Sequence, residues 1–472
     1  MLYIIIQQRK KIRTLKNIAV VLGALFLFSC SGPQKEKADL IVHHALVYTI
    51  DSSFSTAECF AVKDGKIIAV GTNDSILARY DGEKLDAQGK AVFPGLIDAH
   101  CHFYGYGLGL QKVDLVDTKS FDEVIQKVVE FSKTKKGEWI LGRGWDQNDW
   151  AVKEYPDRAK LDSLFPNTPV FLKRVDGHAA LVNGEALRRA GITEWKRIAG
   201  GEMGARINLK DMDIAKLEFK YLSGILIDNA VDLVANKIPT ASRPEAVAAL
   251  LAAQKDCFAV GLTTLDDAGL DKQTIDLMDE LQKSGELKMR IYAMLTDSKE
   301  NLDYYLNQGP YKTARLNVRS FKFYADGALG SRGACLLKSY SDKPQQQGFL
   351  LSKPEYFAEM AKKMFDKGFQ MNTHCIGDSA TRFLINTYGH CFMEAKYEKM
   401  DSRWRIEHFQ VSTKEDIALL THFNSTEFNL IPSVQPTHAT SDMYWAKDRL
   451  GPDRVKYAYA YKDQLKAALK CE

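Results

Sequence analysis

The chain has 472 residues, a length that allows about three domains or one large barrel with attachments. Its 45% hydrophobic and 26% charged residues exclude a disordered, collagen-like or coiled-coil protein. The formal net charge is +4, but residues 1–29 hold five basic and no acidic side chains, so the remainder has 59 basic against 60 acidic groups. A nucleic-acid-binding protein would carry a basic surplus in its folded part, and that class is therefore excluded.

The N-terminal segment, residues 1–29, has the pattern of an export signal. The basic stretch Lys10–Lys16 precedes the apolar stretch Ile18–Phe28, which is shorter than the roughly 20 residues that span a bilayer as a helix. The apolar stretch ends in LFSC, which resembles a bacterial lipobox and implies lipidation of Cys30, with residues 30–37 as a polar tether. We therefore expect an exported protein, lipid-anchored to a bacterial membrane and facing the periplasm or the cell surface. An uncleaved anchor helix is the alternative.

Residues 38–91 predict a small β-sheet unit, which is the first part of a β-sandwich. Short alternating segments are separated by turn signals, such as Asp64-Gly65 in ECFAVKDGKIIAVG. From about residue 243 the pattern changes to helix followed by strand, repeated to the C-terminus, and this alternation implies a parallel sheet. The apolar segment VFPGLIDAH, residues 92–100, has the same buried-strand character.

Residues 92–472 therefore predict an α/β fold of the (β/α) TIM-barrel type. A closed barrel has eight strands, and seven are found in the sequence. An insertion over about 104–240, rich in Gly, Trp and charge, is predicted to cap the mouth of the barrel. The predicted strands are 92–100, 261–267, 287–294, 320–326, 369–375, 404–410 and 430–436.

Four of the ten histidines fall at the C-terminal ends of predicted strands, where a barrel holds its active site. His100 and His102 are two residues apart on the first strand and therefore point the same way. His374 and His408 end two later strands. One histidine at a strand end is more often a satisfied polar residue than a ligand. Four in this arrangement predict a metal site, because imidazole suits zinc and related ions.

Lys322 is unusual because it lies in the apolar strand segment Phe321-Lys322-Phe323. A buried ammonium group needs a partner or a chemical use. Lys322 and Asp326 share a face of the strand, so a structural Lys–Asp pair is one interpretation. A chemical role for the lysine is the other.

Seven motifs in the sequence resemble those of the amidohydrolase superfamily, and more narrowly its amidohydrolase-3, YtcJ-like branch, which is related to N-substituted formamide deformylases. The similarity runs from about residue 38 to the C-terminus. It implies a metal-dependent (β/α) barrel with a flanking β-sandwich made from both chain ends, and hydrolysis of a carbon–nitrogen bond other than a peptide bond. The motifs are PGLIDAHCH, GRGWDQNDW, PVFLKRVDGHAALVN, FYADGALGSR, NTHCIGDSA, RIEHFQ and SVQPTHATSD.

The resemblance also implies a role for each candidate ligand. His100 and His102 would bind the more buried of two divalent ions, and His374 and His408 would bind the other. Zinc is the expected metal, with one or two ions in the site. Lys322 would take up CO₂ to form a carbamate that bridges the ions, and this reaction would convert a buried cation into an anionic oxygen ligand.

One motif of the family is missing from the sequence. Its members carry Gly-Ser-Asp on the eighth strand, and that aspartate binds metal and transfers the proton from the attacking water to the leaving nitrogen. No such motif follows SVQPTHATSDMYWAKDRLG here. The missing motif and the strand count both predict a chain cut before its eighth strand, so the catalytic residue stays unknown. Asp326 is the nearest substitute, although its place on the fourth strand argues against it.

Other residues are weaker candidates for contact with the substrate. Trp145, His178 and His438 are predicted on loops that face the pocket, and Asp326 is grouped with them. Arg332 is predicted either to bind a carboxylate substituent of the substrate or to form a salt bridge. The remaining histidines are predicted to be structural, and they are His43, His44, His390 and His422.

Together these features predict a lipid-anchored metallo-amidohydrolase of small-molecule amides. Two alternatives stay open at this point. One is an impaired barrel that binds metal or ligand without turnover. The other is a hydrolase of esters or cyclic amides, since the same kind of metal site attacks several types of carbonyl group. The sequence leaves the substrate, the metal and the oligomeric state open.

Overall fold

The fold is seen in a computed structural model, which describes residues 35–134, 138–175, 177, 179–198, 201–206, 218–330, 332–394, 402–424 and 429–468. The predicted export signal, Cys30 and most of the predicted tether lie outside these residues. The chain divides into a first compact unit that ends at Gly95 and a second that begins at Leu96. Among the described residues, no helix has the length and apolar character needed to cross a membrane.

The elements of the first unit are β1 (Glu36–His43), β2 (Leu46–Tyr48), β3 (Thr56–Ala57), β4 (Cys59–Lys63), β5 (Lys66–Gly71), α1 (Asn73–Arg79), β6 (Tyr80–Asp86) and β7 (Ala91–Val92). The strands form two small β-sheets with the orders β5-β4-β1-β6 and β3-β2-β7. Asp64 and Gly65, at the turn between β4 and β5, both have positive φ (49° and 70°), as a tight hairpin requires. Buried side chains from both sheets, including Val42 and Val47, share one apolar cluster.

The second unit contains a parallel sheet and an inserted mixed sheet. Its strands are β8 (Leu96–Cys101), β9 (Val113–Asp114), β10 (Ile140–Trp145), β11 (Val170–Arg174), β12 (Ala179–Val182), β13 (Gly201–Ala205), β14 (Leu222–Asp228), β15 (Leu262–Leu270), β16 (Arg290–Thr296), β17 (Tyr311–Lys312), β18 (Leu316–Tyr324), β19 (Gln370–Cys375), β20 (Arg405–His408) and β21 (Ile431–Ser433).

Helices connect and cover these strands. They are α2 (Phe103–Gly109), α3 (Phe121–Thr134), α4 (Ala159–Leu164), α5 (Gly184–Arg189), α6 (Asn229–Ala235), α7 (Arg243–Ala259), α8 (Lys272–Ser284), α9 (Lys299–Gln308), α10 (Pro354–Asp366), α11 (Asp378–Glu394), α12 (Lys414–Asn424), α13 (Thr437–Asp442), α14 (Ala446–Arg454) and α15 (Tyr461–Ala468). Single 3₁₀ turns cover Gln147–Asp149, Phe219–Tyr221 and Val455–Tyr457.

The parallel sheet has the order β21-β20-β19-β18-β16-β15-β8, and a helix follows each of its strands. This arrangement confirms the predicted (β/α) barrel and its seven strands. Their bounds differ by a few residues from the prediction, because the sequence pattern does not mark where strand pairing begins. Within the described residues, β8 and β21 are the two ends of this nearly closed sheet.

The inner strands of the parallel sheet are largely buried on both faces, as is usual for a sheet covered by helices, whereas Leu96 and Ile97 on the edge strand β8 are exposed. On β18, the consecutive residues Phe321, Lys322 and Phe323 are all at most 1% exposed. Several of the helices begin at identifiable caps, such as Asp271 before α8 and Ser298 before α9. Helix α7 starts with a capping box between Ser242 and Glu245, which satisfies backbone N–H groups at the first turn. These local signals explain why the sequence predicts the α/β alternation so well.

The insertion after the first barrel strand folds as a six-stranded sheet in the order β13-β14-β12-β11-β10-β9. One face of it packs against α3 through residues such as Val124, and the other packs against α5 and α6 through residues such as Leu187. The predicted insertion over about 104–240 is therefore an extra layered module with its own two apolar clusters. Its predicted role as a cap over the mouth stays a prediction.

Candidate metal centre

All five predicted metal ligands lie together at the C-terminal ends of barrel strands. The ring centroid of His408 is 4.9 Å from that of His100 and 4.6 Å from that of His374. The rings of His100 and His102 are 5.8 Å apart. The Lys322 ammonium lies 3.5 Å from Nε2 of His100. Strands β8, β18, β19 and β20 thus direct four imidazoles and one amine to a common point.

Three of the imidazole rings have their Nδ1 atom fixed by a neighbouring oxygen. Because each Nδ1 is engaged, the opposite nitrogen, Nε2, is the one left for a metal ion. Histidine ligands of metals are oriented in this way in proteins generally. The three contacts join His100 Nδ1 to Glu407 Oε2 (2.5 Å), His102 Nδ1 to the Ala268 carbonyl oxygen (2.9 Å), and His408 Nδ1 to Gln435 Oε1 (2.5 Å).

The fourth ring, that of His374, provides a direct test of whether a metal fits. Its Nε2 is buried and has no hydrogen-bond partner among the described residues. The nearest carboxylate oxygen, Oδ1 of Asp326, is 3.8 Å away, which is too far for a hydrogen bond. A buried polar atom without a partner is costly, and a divalent ion at this point would satisfy it. The donor set therefore fits a divalent metal.

The charge state of the histidines also suits a metal. Burial is the largest cause that lowers the pKa of His102, of His374 to about 4 and of His408 to about 2, and the nearby imidazoles and the Lys322 ammonium contribute to the same lowering. These rings are therefore neutral at physiological pH. The neutral imidazole has a free electron pair, which is the form that binds metal.

Lys322 is 1% exposed, and burial lowers the pKa of its amine to about 8 although the Glu407 carboxylate opposes the change. Its ammonium lies 5.2 Å from the centre of the Tyr324 ring. Lys322 and Asp326 are both described, and no ion pair joins them, so the structural Lys–Asp pair that the sequence allowed is wrong. The reason is that Asp326 has other partners.

The Asp326 carboxylate binds the backbone. It accepts hydrogen bonds from the N–H groups of Cys335 (2.8 Å), Ile376 (2.9 Å) and Gly377 (2.8 Å). These contacts join the loop after β18 to the loop after β19, beside His374. The structure thus gives Asp326 a positioning role at the site. Both of its oxygens accept backbone hydrogen bonds, and its predicted contact with substrate stays a prediction.

Two residues of the site, Arg405 and Glu407, are absent from the sequence-based set. The Glu407 side chain is fully buried and forms an ion pair with Arg405 at 2.6 Å. Burial by itself would raise the pKa of Glu407, but the hydrogen bond from His100 and the charge of Arg405 outweigh it and lower the pKa to about 2. The signal in the sequence was available: in RIEHFQ, two charged residues share one face of a buried strand.

Arg405 extends this network toward two other strands. Its guanidinium donates to Asp266 Oδ2 on β15 (2.6 Å), to the Ser433 hydroxyl on β21 (2.8 Å) and to the Ala99 carbonyl oxygen on β8. These contacts hold β20 to both ends of the parallel sheet. Arg405 is therefore a structural cation close to the histidines, and its Nη1 and Nη2 groups are occupied by these contacts.

The weaker sequence candidates are placed differently from one another. His438 lies on α13, and its ring stacks on that of His408 at 5.5 Å, so it does reach the site. His178 lies outside the described residues. Trp145, predicted on a loop at the pocket, instead ends strand β10 in the apolar core of the insertion, where its Nε1 donates to the Leu172 carbonyl oxygen (2.8 Å). Its large apolar surface explains this placement.

Arg332 forms the salt bridge that was its alternative interpretation. Its guanidinium makes two hydrogen bonds to Asp342, of 3.1 and 2.7 Å, and Arg449 pairs with the same carboxylate. The fork of donors is thus occupied by a carboxylate of the chain itself. The binding of a substrate carboxylate by Arg332 stays a prediction without geometric support.

Known proteins are similar to this chain in sequence and in structure. The chain is 30% identical to the amidohydrolase YtcJ of Bacillus subtilis (strain 168), over 91% of this chain and 79% of that protein. It is 29% identical to an N-substituted formamide deformylase of Arthrobacter pascens, over 54% of this chain and 47% of that protein. The crystal structure of a metal-dependent hydrolase from Pyrococcus horikoshii OT3 superimposes with a TM-score of 0.73 at 26% identity, covering 91% of this chain and 80% of that chain.

The family assignment rests on most of the chain. Residues 83–471 match the model of the amidohydrolase family, Amidohydro_3. This range contains every strand of the parallel sheet and all five of the clustered ligand candidates. The chain belongs to the amidohydrolase family, in its amidohydrolase-3, YtcJ-like branch, whose relatives include metal-dependent hydrolases.

Proposed function

We propose that the protein hydrolyses carbon–nitrogen bonds other than peptide bonds, in amides or formamides of small molecules, at a zinc site of one or two ions. The observation that carries the proposal is the convergence of four imidazoles and Lys322 at the strand ends. Similarity to an N-substituted formamide deformylase supports the substrate class. When bound, the metal would lower the pKa of a water molecule toward neutrality and polarise the carbonyl group.

The residues of the chain would hold and tune this centre. His100, His102, His374 and His408 offer one nitrogen each, and contacts at Nδ1 fix the ring orientation of all but His374. The buried Glu407 carboxylate, on the far side of His100, increases the electron density on that ring and so strengthens it as a ligand. His438 stacks against His408, and on the proposed function it would contact the bound substrate.

Lys322 would contribute an oxygen ligand after reaction with CO₂. Its neutral amine attacks the carbon of CO₂, a C–N bond forms, one C–O π bond breaks, and a proton is released to give a carbamate anion. Burial favours this reaction, because it lowers the pKa of the amine to about 8 and raises its neutral fraction. The carbamate would also remove a buried positive charge from beside three neutral imidazoles.

The experiment is metal analysis of the purified protein combined with a hydrolysis screen over N-formyl and N-acyl amines. We expect one or two zinc ions per chain and release of free amine. His374→Asn should lose both metal and activity, whereas the matched variant His390→Asn, on the exposed side of α11, should retain both. Metal bound at full occupancy without turnover of any amide would instead favour the impaired barrel.

The protein is also proposed to be exported and held at a bacterial membrane through a lipid on Cys30. The support is the sequence of residues 1–30 alone, with its basic stretch, short apolar stretch and LFSC ending. Expression with Cys30→Ala should move the protein from the membrane fraction to the soluble fraction. Retention of that variant in the membrane fraction would contradict lipidation and favour the anchor helix.

A further inference from the structure

A second group of metal-binding side chains lies in the first unit, at the ends of two neighbouring strands. Strands β1 and β6 run parallel, and their register pairs His43 with Asp86. His43 is the last residue of β1, His44 follows it, and Asp86 is the last residue of β6. Because parallel strands end at the same edge of a sheet, the three side chains come together there. The sequence alone predicts both histidines to be structural.

The ligand atoms of these residues converge on one point. Nδ1 of His43 is 3.2 Å from Nδ1 of His44, which is in turn 3.2 Å from Oδ1 of Asp86. All three atoms lie within 4.8 Å of one another. Two nitrogens bound to one tetrahedral zinc at about 2.0–2.1 Å would be roughly 3.3–3.4 Å apart, so the observed separation is close to that of ligands sharing an ion.

The protons available do not satisfy this arrangement. The Nδ1 atom of a neutral imidazole carries either one hydrogen or one electron pair in the ring plane. His44 Nδ1 lies 3.2 Å from both His43 Nδ1 and Asp86 Oδ1, and because it cannot donate and accept at once, at most one of the two contacts can be a full hydrogen bond in any tautomer. If both nitrogens are deprotonated, two nitrogen electron pairs and a carboxylate oxygen lie within 4.8 Å of one another around a position that no hydrogen fills. A cation at that position satisfies all three.

The backbone holds the group in this geometry. His44 has a positive φ of 50°, a conformation that few non-glycine residues adopt, and its N–H donates to Asn73 Oδ1 at 2.8 Å. Asp86 Oδ1 also accepts from the N–H of Gln88 at 2.9 Å. These bonds fix where the His44 ring and the Asp86 carboxylate stand. The side chains of both are about half exposed, which leaves coordination positions for water.

We propose that His43, His44 and Asp86 form a binding site for a divalent first-row metal ion, such as zinc, that is separate from the barrel centre. Two imidazoles and one carboxylate are a common donor set for such ions. The ion would join the ends of β1 and β6 and stabilise the first unit when bound. The site does not depend on hydrolysis or on the ligands at the barrel strands.

The test is calorimetric titration of the full chain with zinc chloride, after the barrel centre has been loaded and excess metal removed. We expect one further ion to bind, and its affinity to fall at least about tenfold in His43→Gln, His44→Asn and Asp86→Asn. Asparagine tolerates the positive φ at position 44, so that variant keeps the backbone. His390→Asn, the matched control, should bind the further ion as tightly as the unmodified protein.

These measurements test the second metal site independently of the hydrolysis proposed for the barrel. Hydrolysis by the barrel should be unchanged in the three variants, since none of these residues belongs to the barrel centre. Absence of a further zinc ion in the unmodified protein would overturn the proposal. So would unchanged affinity in Asp86→Asn, because the carboxylate is the only ligand from the second strand. In either case the barrel chemistry would stand.

Discussion

Nδ1 of His100 and Oε2 of Glu407 lie 2.5 Å apart, although the two residues are 307 positions apart in the chain. His100 is on β8, one end of the parallel sheet, and Glu407 is on β20, the second strand from the other end. This contact therefore bridges the two sides of the nearly closed barrel. It couples the orientation of a candidate metal ligand to the closure of the fold.

Replacing Glu407 should weaken metal binding. In Glu407→Gln the charge that polarises His100 is lost while the size of the side chain is kept. We expect zinc affinity to fall about 10- to 100-fold, the usual effect of removing such a partner of a ligand. Competition with a chelator measures this. Glu415→Gln, at an exposed carboxylate on α12, is the matched control, and equal affinity in both variants would argue against a role for Glu407 in the site.

Lys322 should carry a carbamate when CO₂ is present. Protein prepared in ¹³C-bicarbonate should show one carbamate carbon signal that is absent from Lys322→Met. Zinc affinity should be higher in bicarbonate than in CO₂-free buffer for the unmodified protein, and the two should be equal for the variant. If zinc affinity does not respond to CO₂ in the unmodified protein, Lys322 has a different role.

Trp145 should contribute to stability and not to substrate affinity. Its side chain is 1% exposed and packs in the cluster between α3 and the inserted sheet. Trp145→Ala should lower the free energy of unfolding by about 3 to 5 kcal/mol, as is usual for loss of a buried aromatic ring. Denaturant unfolding measures the change. The KM of the folded Trp145→Phe variant should equal that of the unmodified protein, and a large rise in its KM would restore a role in substrate contact.

The pair of Arg332 and Asp342 should stabilise the fold in a pH-dependent way. The hydrogen bonds from Arg332 and the charge of Arg449 hold the pKa of Asp342 below its ordinary value. The folded state therefore binds its proton less tightly than the unfolded state does. The pair's contribution to the free energy of unfolding is therefore fully present above the pKa of about 4 that Asp342 has in the unfolded chain. It is lost as the pH falls through the lower pKa of Asp342 in the folded protein.

A double-mutant cycle at this pair separates the two interpretations of Arg332. Asp342→Asn and Arg332→Gln should each lower the free energy of unfolding by about 1 to 3 kcal/mol at neutral pH. The double variant should lower it by less than the sum of the two single changes. The loss of unfolding free energy caused by Asp342→Asn should become smaller below about pH 4. Additive costs, together with a selective loss of activity toward carboxylated substrates in Arg332→Gln, would instead assign the arginine to substrate binding.

The sequence by itself determined the α/β alternation, the seven parallel strands and the histidines at their ends. These features depend on local chemistry: buried strands are apolar on both faces, helices begin at caps such as Ser242, and residues two apart on a strand share a face. His100 and His102 were predictable for that reason. So was the approach of His374 and His408, because the strands of a barrel end at one rim.

Only the tertiary structure decided how each polar side chain is paired. Asp326 binds three backbone N–H groups, Arg332 binds Asp342, and Glu407 binds His100. The His43–Asp86 register likewise brings together residues that are far apart in the chain. Sequence spacing gives the face of a strand on which a residue lies, but hydrogen-bond partners depend on distances of a few tenths of an ångström between elements that the chain brings together only when it folds.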